Sequence, residues 1–248
     1  MKISDEPAFV LHARAWRESS LLVEVLSANH GRIGMVARGV QSPNRQALRA
    51  ALQPLQWLRL DLDWRGELAR LIQAEAVDVA PRLSGDAVLS GFYLNELTMR
   101  LVPRGEPQPN LFLAYAQTRQ RLADPEQSLA WTLRRFERDL LDAIGVGFPW
   151  HLDRDGEPLD PAARYVVDVE QGAIKVLTER TAEERRFSPS GRALLSLAAD
   201  DLPTEEDLQS LRIPMRVLLQ HHLGARGLKS WDMQRLMRRG SKASGVRQ

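Results

Sequence analysis

The stretch Leu55-Gln56-Trp57-Leu58-Arg59-Leu60-Asp61-Leu62-Asp63-Trp64 decides the fold class of this chain. Leucine occupies positions 58, 60 and 62, and charged residues fill the positions between them. Because side chains alternate between the two faces of a strand, this period of two predicts a β-strand with one apolar face. By the same parity, Trp64 belongs with the leucines in the core, whereas Trp57 lies on the side of Arg59.

Other short apolar runs surround this strand. We predict strands at 9–13, 21–26 and 33–37 before it and at 68–77 after it, with a polar link at 41–45. Turn-forming residues separate the runs, as in the segment Asn29-His30-Gly31. Five short strands joined by short links, which we expect to be antiparallel, suit a small closed barrel such as the OB-fold.

After Pro81 the pattern becomes helical. Ser84 is predicted to cap one of the helices, and Pro214 either kinks another or marks its start. A hairpin is expected near Gln171-Gly172, within an insertion at about 148–178. Apolar residues recur at helical spacing in six segments, which are 84–101, 111–122, 128–144, 190–199, 205–222 and 231–238.

The predicted architecture is therefore α+β. An N-terminal five-stranded OB-fold barrel spans residues 1–80, and an all-helical domain with the small hairpin insertion spans residues 81–248. The last part of that domain, at about 239–248, is predicted to be a basic C-terminal tail.

Charge is segregated along the chain, although the net charge is only +2. Residues 1–59 carry eight Lys/Arg against four Asp/Glu, and residues 212–248 carry nine against one. The segment between them, 60–211, carries 17 basic and 27 acidic residues. This distribution indicates a polyanionic partner at both ends of the chain, the alternative being a solvated basic tail without a partner.

Several classes of protein are excluded by what the sequence lacks. It contains no cysteine, so disulfides and thiolate zinc sites are excluded, and a cytoplasmic location is expected. No phosphate-binding loop, serine elbow or metal-binding histidine spacing occurs. We therefore expect a protein that is not an enzyme, with no cofactor and no metal.

The binding candidates in the barrel are mainly arginines, whose forked donors match phosphate oxygens. Trp16 either stacks on nucleic-acid bases or packs against the barrel. The predicted nucleic-acid contacts in the barrel are Arg14, Trp16, Arg17, Arg32, Arg38, Arg45 and Arg49. Those in the C-terminal segment are Lys229, Arg235, Arg238, Arg239 and Lys242.

A further basic pair, Arg134-Arg135, lies on the predicted helix at 128–144. Acidic residues nearby, Glu137 and Asp139, allow simple pairing along the helix. The alternative is a pocket that receives an acidic peptide.

Taken in order, several segments resemble the RecO family of bacterial recombination mediators. The resemblance covers nearly the whole chain, and its strongest parts are R-E-S-S-L-L, G-R-I-G-M-V-A-R-G and L-K-S. The segments are FVLHARAWRESSLLVEVLSANHGRIGMVARGV (9–40), ALQPLQWL (51–58), RGELARLIQAEAV (65–77), SGFYLNEL (90–97), LRRFERDLL (133–141) and LGARGLKS (223–230).

The resemblance implies an OB-fold followed by a helical domain, and a role in DNA repair and homologous recombination. It implies binding of single- and double-stranded DNA, annealing of complementary strands and loading of RecA onto DNA coated by single-strand-binding protein. RecR and the acidic C-terminal tail of the coating protein are the implied partners, with a nucleoid-associated location. Arg134 matches the place where the family receives that tail, Arg135 is its neighbour, and Arg212 and Arg216 are further candidates.

This chain departs from many relatives in one respect. They carry a four-cysteine zinc module between helical segments, whereas the matching stretch here, His151 to Leu177, contains no cysteine. Zinc is therefore not expected. An OB-fold module that binds single-stranded DNA or RNA without a mediator role remains the alternative to the mediator.

Overall fold

The computed structural model describes residues 1–40, 42–177, 181 and 187–244, without the side chains of Pro43 and of residues 237–244. Contacts within the chain define two compact units. The first comprises Met1–Pro125 and Leu228–Gln248, and the second comprises Glu126–Gly227. The expected division into domains 1–80 and 81–248 groups the residues differently and stays a prediction.

The first unit contains a closed five-stranded barrel. Its strand order is β1-β2-β3-β5-β4, and β4 then pairs with β1. The predicted α+β class with an N-terminal barrel is thereby confirmed. One expectation is wrong, because β3 and β5 pair in parallel rather than antiparallel. The strands are β1 (Lys2–Trp16), β2 (Ser20–Ser27), β3 (Gly31–Ala37), β4 (Trp57–Trp64) and β5 (Ala69–Ala76).

The alternation in β4 builds the barrel core as predicted. Leu58, Leu60 and Leu62 are fully buried, and Trp64 packs against the same core. Burial of such side chains is worth about 1.5–3 kcal/mol each. The other strands add the remaining buried members of this core, among them Val10, Val23, Val25, Ile33 and Met35.

A short helix lies where a polar link was expected. Residues Pro43–Arg45 form a 3-10 turn, and helix α1 (Gln46–Ala51) follows it directly. Alanine, leucine and arginine favour helix, but six residues are too few to show a helical period in the sequence. Leu48 and Ala51 of this helix pack against the barrel core.

Three further helices belong to the first unit: α2 (Asp86–Leu101), α3 (Pro109–Arg121) and α7 (Lys229–Ser244). Ser84 was expected to cap α2, but Gly85 occupies the cap position and makes no side-chain cap bond. The carboxylate of Glu96 in α2 accepts hydrogen bonds from the backbone N–H groups of Lys229 and Ser230. These hydrogen bonds satisfy free donors at the start of α7.

Helix α7 differs from the prediction at both ends. It begins two residues before the expected Trp231, and it continues to Ser244, past the expected end at residue 238. Most of the predicted tail at 239–248 is thus helical backbone, and residues 245–248 lie outside the described part of the chain.

The second unit is helical with a small hairpin, as predicted. Its elements are α4 (Leu129–Ala143), β6 (Tyr165–Asp168), β7 (Gly172–Lys175), α5 (Gly191–Ala199) and α6 (Glu205–Leu223). Ser128 caps α4 by accepting a hydrogen bond from the Trp131 N–H. Pro214 lies inside α6 and does not start it. The last residue of the predicted insertion, 178, lies outside the described residues.

Two global features follow from these elements. Among the described residues, no helix combines the length and the apolar composition that a membrane crossing needs. In the same part of the chain, no three His, Asp or Glu side chains group in a way that could hold a metal ion.

A buried arginine joins α3 to the barrel within the first unit. Arg119 is 2% exposed and donates a hydrogen bond to the Leu55 carbonyl at 2.5 Å. Its two terminal nitrogens donate to the Asp78 carboxylate at 2.7 and 2.9 Å, and its guanidinium carbon lies 5.5 Å from the Phe9 ring centroid. Phe9 also packs against Tyr115 of α3, with ring centroids 5.0 Å apart.

We expect Arg119→Met to lower the free energy of unfolding by about 2–4 kcal/mol, because it removes the donor of the Leu55 carbonyl and leaves the Asp78 carboxylate with the Gln56 amide alone. Asp78 is about one-third exposed, which keeps the decrease below that of a fully buried pair. Urea unfolding followed by circular dichroism measures it. Arg82→Met, at an exposed position of the same unit, should change stability little. A decrease for Arg119→Met as small as that of Arg82→Met would contradict the role of Arg119 as a clamp.

Candidate nucleic-acid interface

One row across the barrel sheet carries an arginine at each end. Arg14 of β1 lies opposite Leu22 of β2, Leu22 lies opposite Val36 of β3, and Val36 lies opposite Arg70 of β5. Both arginines are exposed, and the two apolar residues between them are partly exposed. Strand spacing makes the path between the two arginine Cα atoms about 14 Å along the sheet, which curves because the barrel is closed. The row therefore presents an apolar strip between two cations.

Trp16 lies at the end of β1, beside this row. It is partly buried, and the guanidinium carbon of Arg14 lies 5.7 Å from its ring centroid. Such an arrangement is a cation–π interaction, which holds both the ring and the charge in place. The Trp57 ring, by contrast, packs on Phe9 with centroids 5.9 Å apart. Base stacking by Trp16 stays a prediction, and the packing on Phe9 makes Trp57 a structural residue.

More arginines surround the same end of the barrel. Ala15 pairs with Leu21, and Leu21 pairs with Ala37, so the ends of β1 and β3 lie on either side of the start of β2. Exposed arginines follow each end directly, because Arg17 comes after Trp16 and Arg38 comes after Ala37. Glu18 is the acidic residue of the β1–β2 turn.

Arg45 ends the 3-10 turn and Arg49 lies in α1, and both side chains are exposed. Within the part of the chain that the structure describes, the side chains of Arg17, Arg38, Arg45 and Arg49 make no hydrogen bond or ion pair. We refer to the five exposed arginines and the partly buried tryptophan in this part of the barrel as the arginine end, which comprises Arg14, Trp16, Arg17, Arg38, Arg45 and Arg70.

Arg32 was grouped with these residues by sequence, but its donors are occupied. Its Nη1 donates to Glu24 at 3.0 Å, and its Nε donates to the Val102 carbonyl at 2.9 Å. The side chain is 16% exposed, and Glu24 also pairs with Arg104. Arg32 therefore holds the β2–β3 hairpin to the segment after α2, and its predicted contact with nucleic acid has no support in this geometry.

The C-terminal candidates are distributed along α7. Lys229 is exposed at its first residue, and Arg235 pairs with Asp232 one turn before it. Arg238, Arg239 and Lys242 fall within the helical backbone, but their side chains lie outside the described residues. Their role in binding stays a prediction.

The basic pair of α4 is engaged within the second unit. Arg134 donates to Glu137 at 2.6 Å and to the Arg212 carbonyl at 3.4 Å, so pairing along the helix does occur. Arg135 pairs with Asp200, at the end of α5. Their side chains are 12% and 16% exposed. Asp200 therefore joins the end of α5 to α4.

Arg138, one turn further along α4, completes this network. It lies 2.7 Å from Asp139 and 3.1 Å from Asp200. Burial lowers the pKa of Arg138, but these two carboxylates outweigh burial, so its pKa rises above the ordinary value. Arg212 and Arg216 lie one turn apart on α6, and the hydrogen bond from Arg134 to the Arg212 carbonyl brings α4 to that face. Arg134 of α4 and the backbone of Arg212 in α6 thus meet at one α4–α6 surface.

Sequence reasoning missed Arg70. The run Ala69-Arg70-Leu71-Ile72-Gln73 lacks a clean period of two, because the register of β5 against β4 shifts at Ile72. Only the pairing of β5 with β3 places Arg70 in the row with Arg14. Its single signal in the sequence is a charged residue between two apolar ones.

Comparison with known proteins agrees with this architecture. The family model described as "Recombination protein O N terminal" matches residues 1–80, and "Recombination protein O C terminal" matches residues 82–232. A protein named DNA repair protein RecO from Stenotrophomonas maltophilia (strain K279a) is 61% identical over 94% of this chain and 97% of its own length. A protein of the same name from Xanthomonas campestris pv. campestris (strain B100) is 57% identical over 97% of this chain and 100% of its own.

We expect the combined changes Arg14→Ala, Arg17→Ala and Arg38→Ala to weaken binding to single-stranded DNA and to flatten its salt dependence. Each phosphate that the variant no longer neutralises should reduce the slope of log K against log salt by about 0.7, hence by about 2 for three phosphates. Fluorescence anisotropy over a salt series measures the slope.

The matched control removes the same charge elsewhere, through Arg59→Ala, Arg82→Ala and Arg154→Ala. Arg59 and Arg154 pair with the exposed carboxylates of Asp5 and Asp155, and Arg82 is exposed in the segment before α2. Equal slopes for the two triple variants would remove the arginine end from the binding surface.

Proposed function

The chain belongs to the RecO family of DNA repair and recombination proteins, and we propose that it acts there as a mediator that binds DNA through the arginine end of its barrel. The observation that carries this proposal is the row of Arg14, Leu22, Val36 and Arg70 beside Trp16. Barrels of this kind bind single strands by combining a cationic groove with platforms for the bases.

The balance of charge at this surface favours phosphate over other ligands. Its arginines have exposed side chains, and Glu18 is the acid in the neighbouring turn. An arginine that is not already paired releases counterions from DNA when it binds a phosphate. This release supplies most of the binding affinity, and it does not depend on the DNA sequence. Affinity of that kind suits a protein that must act on any damaged strand.

Annealing of complementary strands follows from the same charge. Two single strands repel each other because their phosphates are negatively charged. When arginines neutralise these phosphates, the bases of the two strands can approach each other and pair. The basic residues of α7 supply a second cationic segment of the first unit, so that two strands can be held at once. The role requires no bond to be made or broken by this chain, and no metal or cofactor.

The second unit is proposed to receive the acidic C-terminal tail of single-strand-binding protein. The support is the α4–α6 surface, where Arg212 and Arg216 lie one turn apart on α6 and Arg134 of α4, itself paired with Glu137, donates to the Arg212 carbonyl. An arginine matches a carboxylate with two parallel hydrogen bonds, which suits recognition of a peptide rich in Asp. Arg135 pairs with Asp200, so it would stabilise this surface without contacting the peptide itself.

Binding of RecR and loading of RecA complete the proposed role. They rest on family membership alone, and RecR is proposed as the partner with which this chain opens a coated strand to RecA. Recruitment through the tail would bring the arginine end to DNA that the coating protein already covers, since both sites belong to one chain.

We expect this protein to accelerate the annealing of complementary oligonucleotides coated with single-strand-binding protein, without ATP. Fluorescence energy transfer between labelled strands reports the rate. The Arg14→Ala, Arg17→Ala, Arg38→Ala variant should lose most of the acceleration, and the Arg59→Ala, Arg82→Ala, Arg154→Ala variant should retain it. A rate at background for the unchanged protein would refute the mediator role and leave a plain nucleic-acid-binding module.

We also expect a peptide with the sequence of the coating protein's acidic tail to bind the second unit. Arg212→Ala with Arg216→Ala should weaken the peptide about tenfold or more, because each charge-assisted hydrogen bond contributes about 1.5–3 kcal/mol. Isothermal titration measures this, with Arg154→Ala and Arg226→Ala as the matched control. Affinity for bare single-stranded DNA should not change. Unaltered peptide affinity in the first variant would move the docking site elsewhere.

A further inference from the structure

A small cavity opens at the arginine end, where β3 ends beside α1 and β5. Its volume is about 240 Å³, and its lining includes Arg38, Arg45, Arg70, Leu48, Leu71 and Ile72. Pockets for drug-sized ligands typically hold about 300–1,000 Å³. This cavity therefore has room for one small planar group, and a base pair would not fit.

Among the residues that the structure describes, no carboxylate lines this cavity, although Asp63 of β4 lies opposite Arg70 of β5. Arg38 and Arg45 make no side-chain hydrogen bond or ion pair within the same residues, and Arg70 acts only at longer range on Asp63, whose carboxylate bonds Arg65 at 3.1 Å. Three like charges around one concave site repel each other unless an anion joins them. The cavity is thus suited to a ligand that carries negative charge.

The apolar part of the cavity is set by a β-bulge. Leu71 of β5 pairs with Leu62 of β4, but Gln73 already pairs with Asp61, so Ile72 is an extra residue without a partner in β4. Its side chain is 52% exposed, whereas Leu48 and Leu71 pack partly on the barrel core. Bulges commonly re-aim a side chain beside a binding site. Here the bulge leaves an isoleucine exposed among three arginines.

We infer that this cavity, the β5 pocket, holds one unpaired nucleotide of the bound DNA strand. The base lies against Leu48 and Ile72, and its flanking phosphates contact Arg38, Arg45 and Arg70. This inference rests on the proposed binding of DNA by the arginine end, and it adds an interaction that depends on the base.

The β5 pocket would let the protein distinguish single strands from duplexes. A base in a duplex is stacked and paired, and extruding it costs a few kcal/mol, whereas a base in a single strand enters without that cost. Recognition through apolar faces is tolerant of sequence, because every base presents such a face. The arginine–phosphate interactions alone would bind both forms of DNA through charge.

The test compares an oligothymidine, a sugar-phosphate oligomer of the same length without bases, and a duplex, all with the full chain. The unchanged protein should bind oligothymidine more tightly than the oligomer without bases. Ile72→Ala should weaken oligothymidine binding about three- to tenfold, because less apolar surface then covers the base, and leave the other two affinities unchanged. Val79→Ala, an 83% exposed apolar residue of the same unit, is the matched control and should have no effect.

Arg70→Gln provides a second variant, with Arg82→Gln as its control. It should weaken oligothymidine and the oligomer without bases alike, since both carry the phosphates. Circular dichroism checks that each variant is folded, and the comparison within the unchanged protein needs no variant.

Three results would overturn the inference. The first is equal affinity of the unchanged protein for oligothymidine and the oligomer without bases, which would leave DNA binding itself intact. The second is an equal effect of Ile72→Ala and Val79→Ala on every ligand. The third is displacement of oligothymidine by an acidic peptide that carries one phenylalanine, if the Ile72→Ala variant abolished this displacement. The pocket would then belong to a protein partner. Failure to bind any of the three nucleic acids would instead refute the proposed function as well.

Discussion

The barrel closes through a short parallel pairing of β3 with β5, in which Met35 pairs with Ala69 and Val36 with Arg70. All other neighbouring strands of the barrel run antiparallel over longer registers. This closure brings Arg70 of β5 into the row that begins at Arg14 of β1. It also leaves an opening beside α1, where the β5 pocket lies. The binding surface is thus a product of how the sheet closes.

Arginine serves two opposite purposes in the first unit. Arg119 and Arg32 are largely buried, and each donates to both a carboxylate and a backbone carbonyl, so they fix helices and loops to the barrel. A buried guanidinium requires such partners, because desolvation of an unpaired charge costs several kcal/mol. The arginines at the arginine end lack carboxylate partners and stay in water, which keeps them available to phosphate. The two groups of arginines differ in their burial and in their ion pairs. Neither property can be read from the sequence.

Much of the fold was predictable because local patterns dictate it. The alternation in β4 and the apolar period of α4 both appear in the structure. The parallel closure was not predictable, because it depends on residues more than thirty positions apart. α1 was too short to show a period, and the bulge at Ile72 disturbed that of β5. For the site, composition identified Arg14, Arg17 and Arg38, whereas the inclusion of Arg70 and the exclusion of Arg32 required tertiary structure.

Hydrogen–deuterium exchange of the full chain, with and without saturating oligothymidine, tests most directly whether the arginine end is the surface that meets DNA. Backbone amides there belong to separate elements that a bound strand would cover together. The account predicts slower exchange on binding at residues 14–22, 36–40, 44–49 and 69–73, with little change in the second unit. Slower exchange confined to α4 and α6, with no change in the barrel, would contradict it.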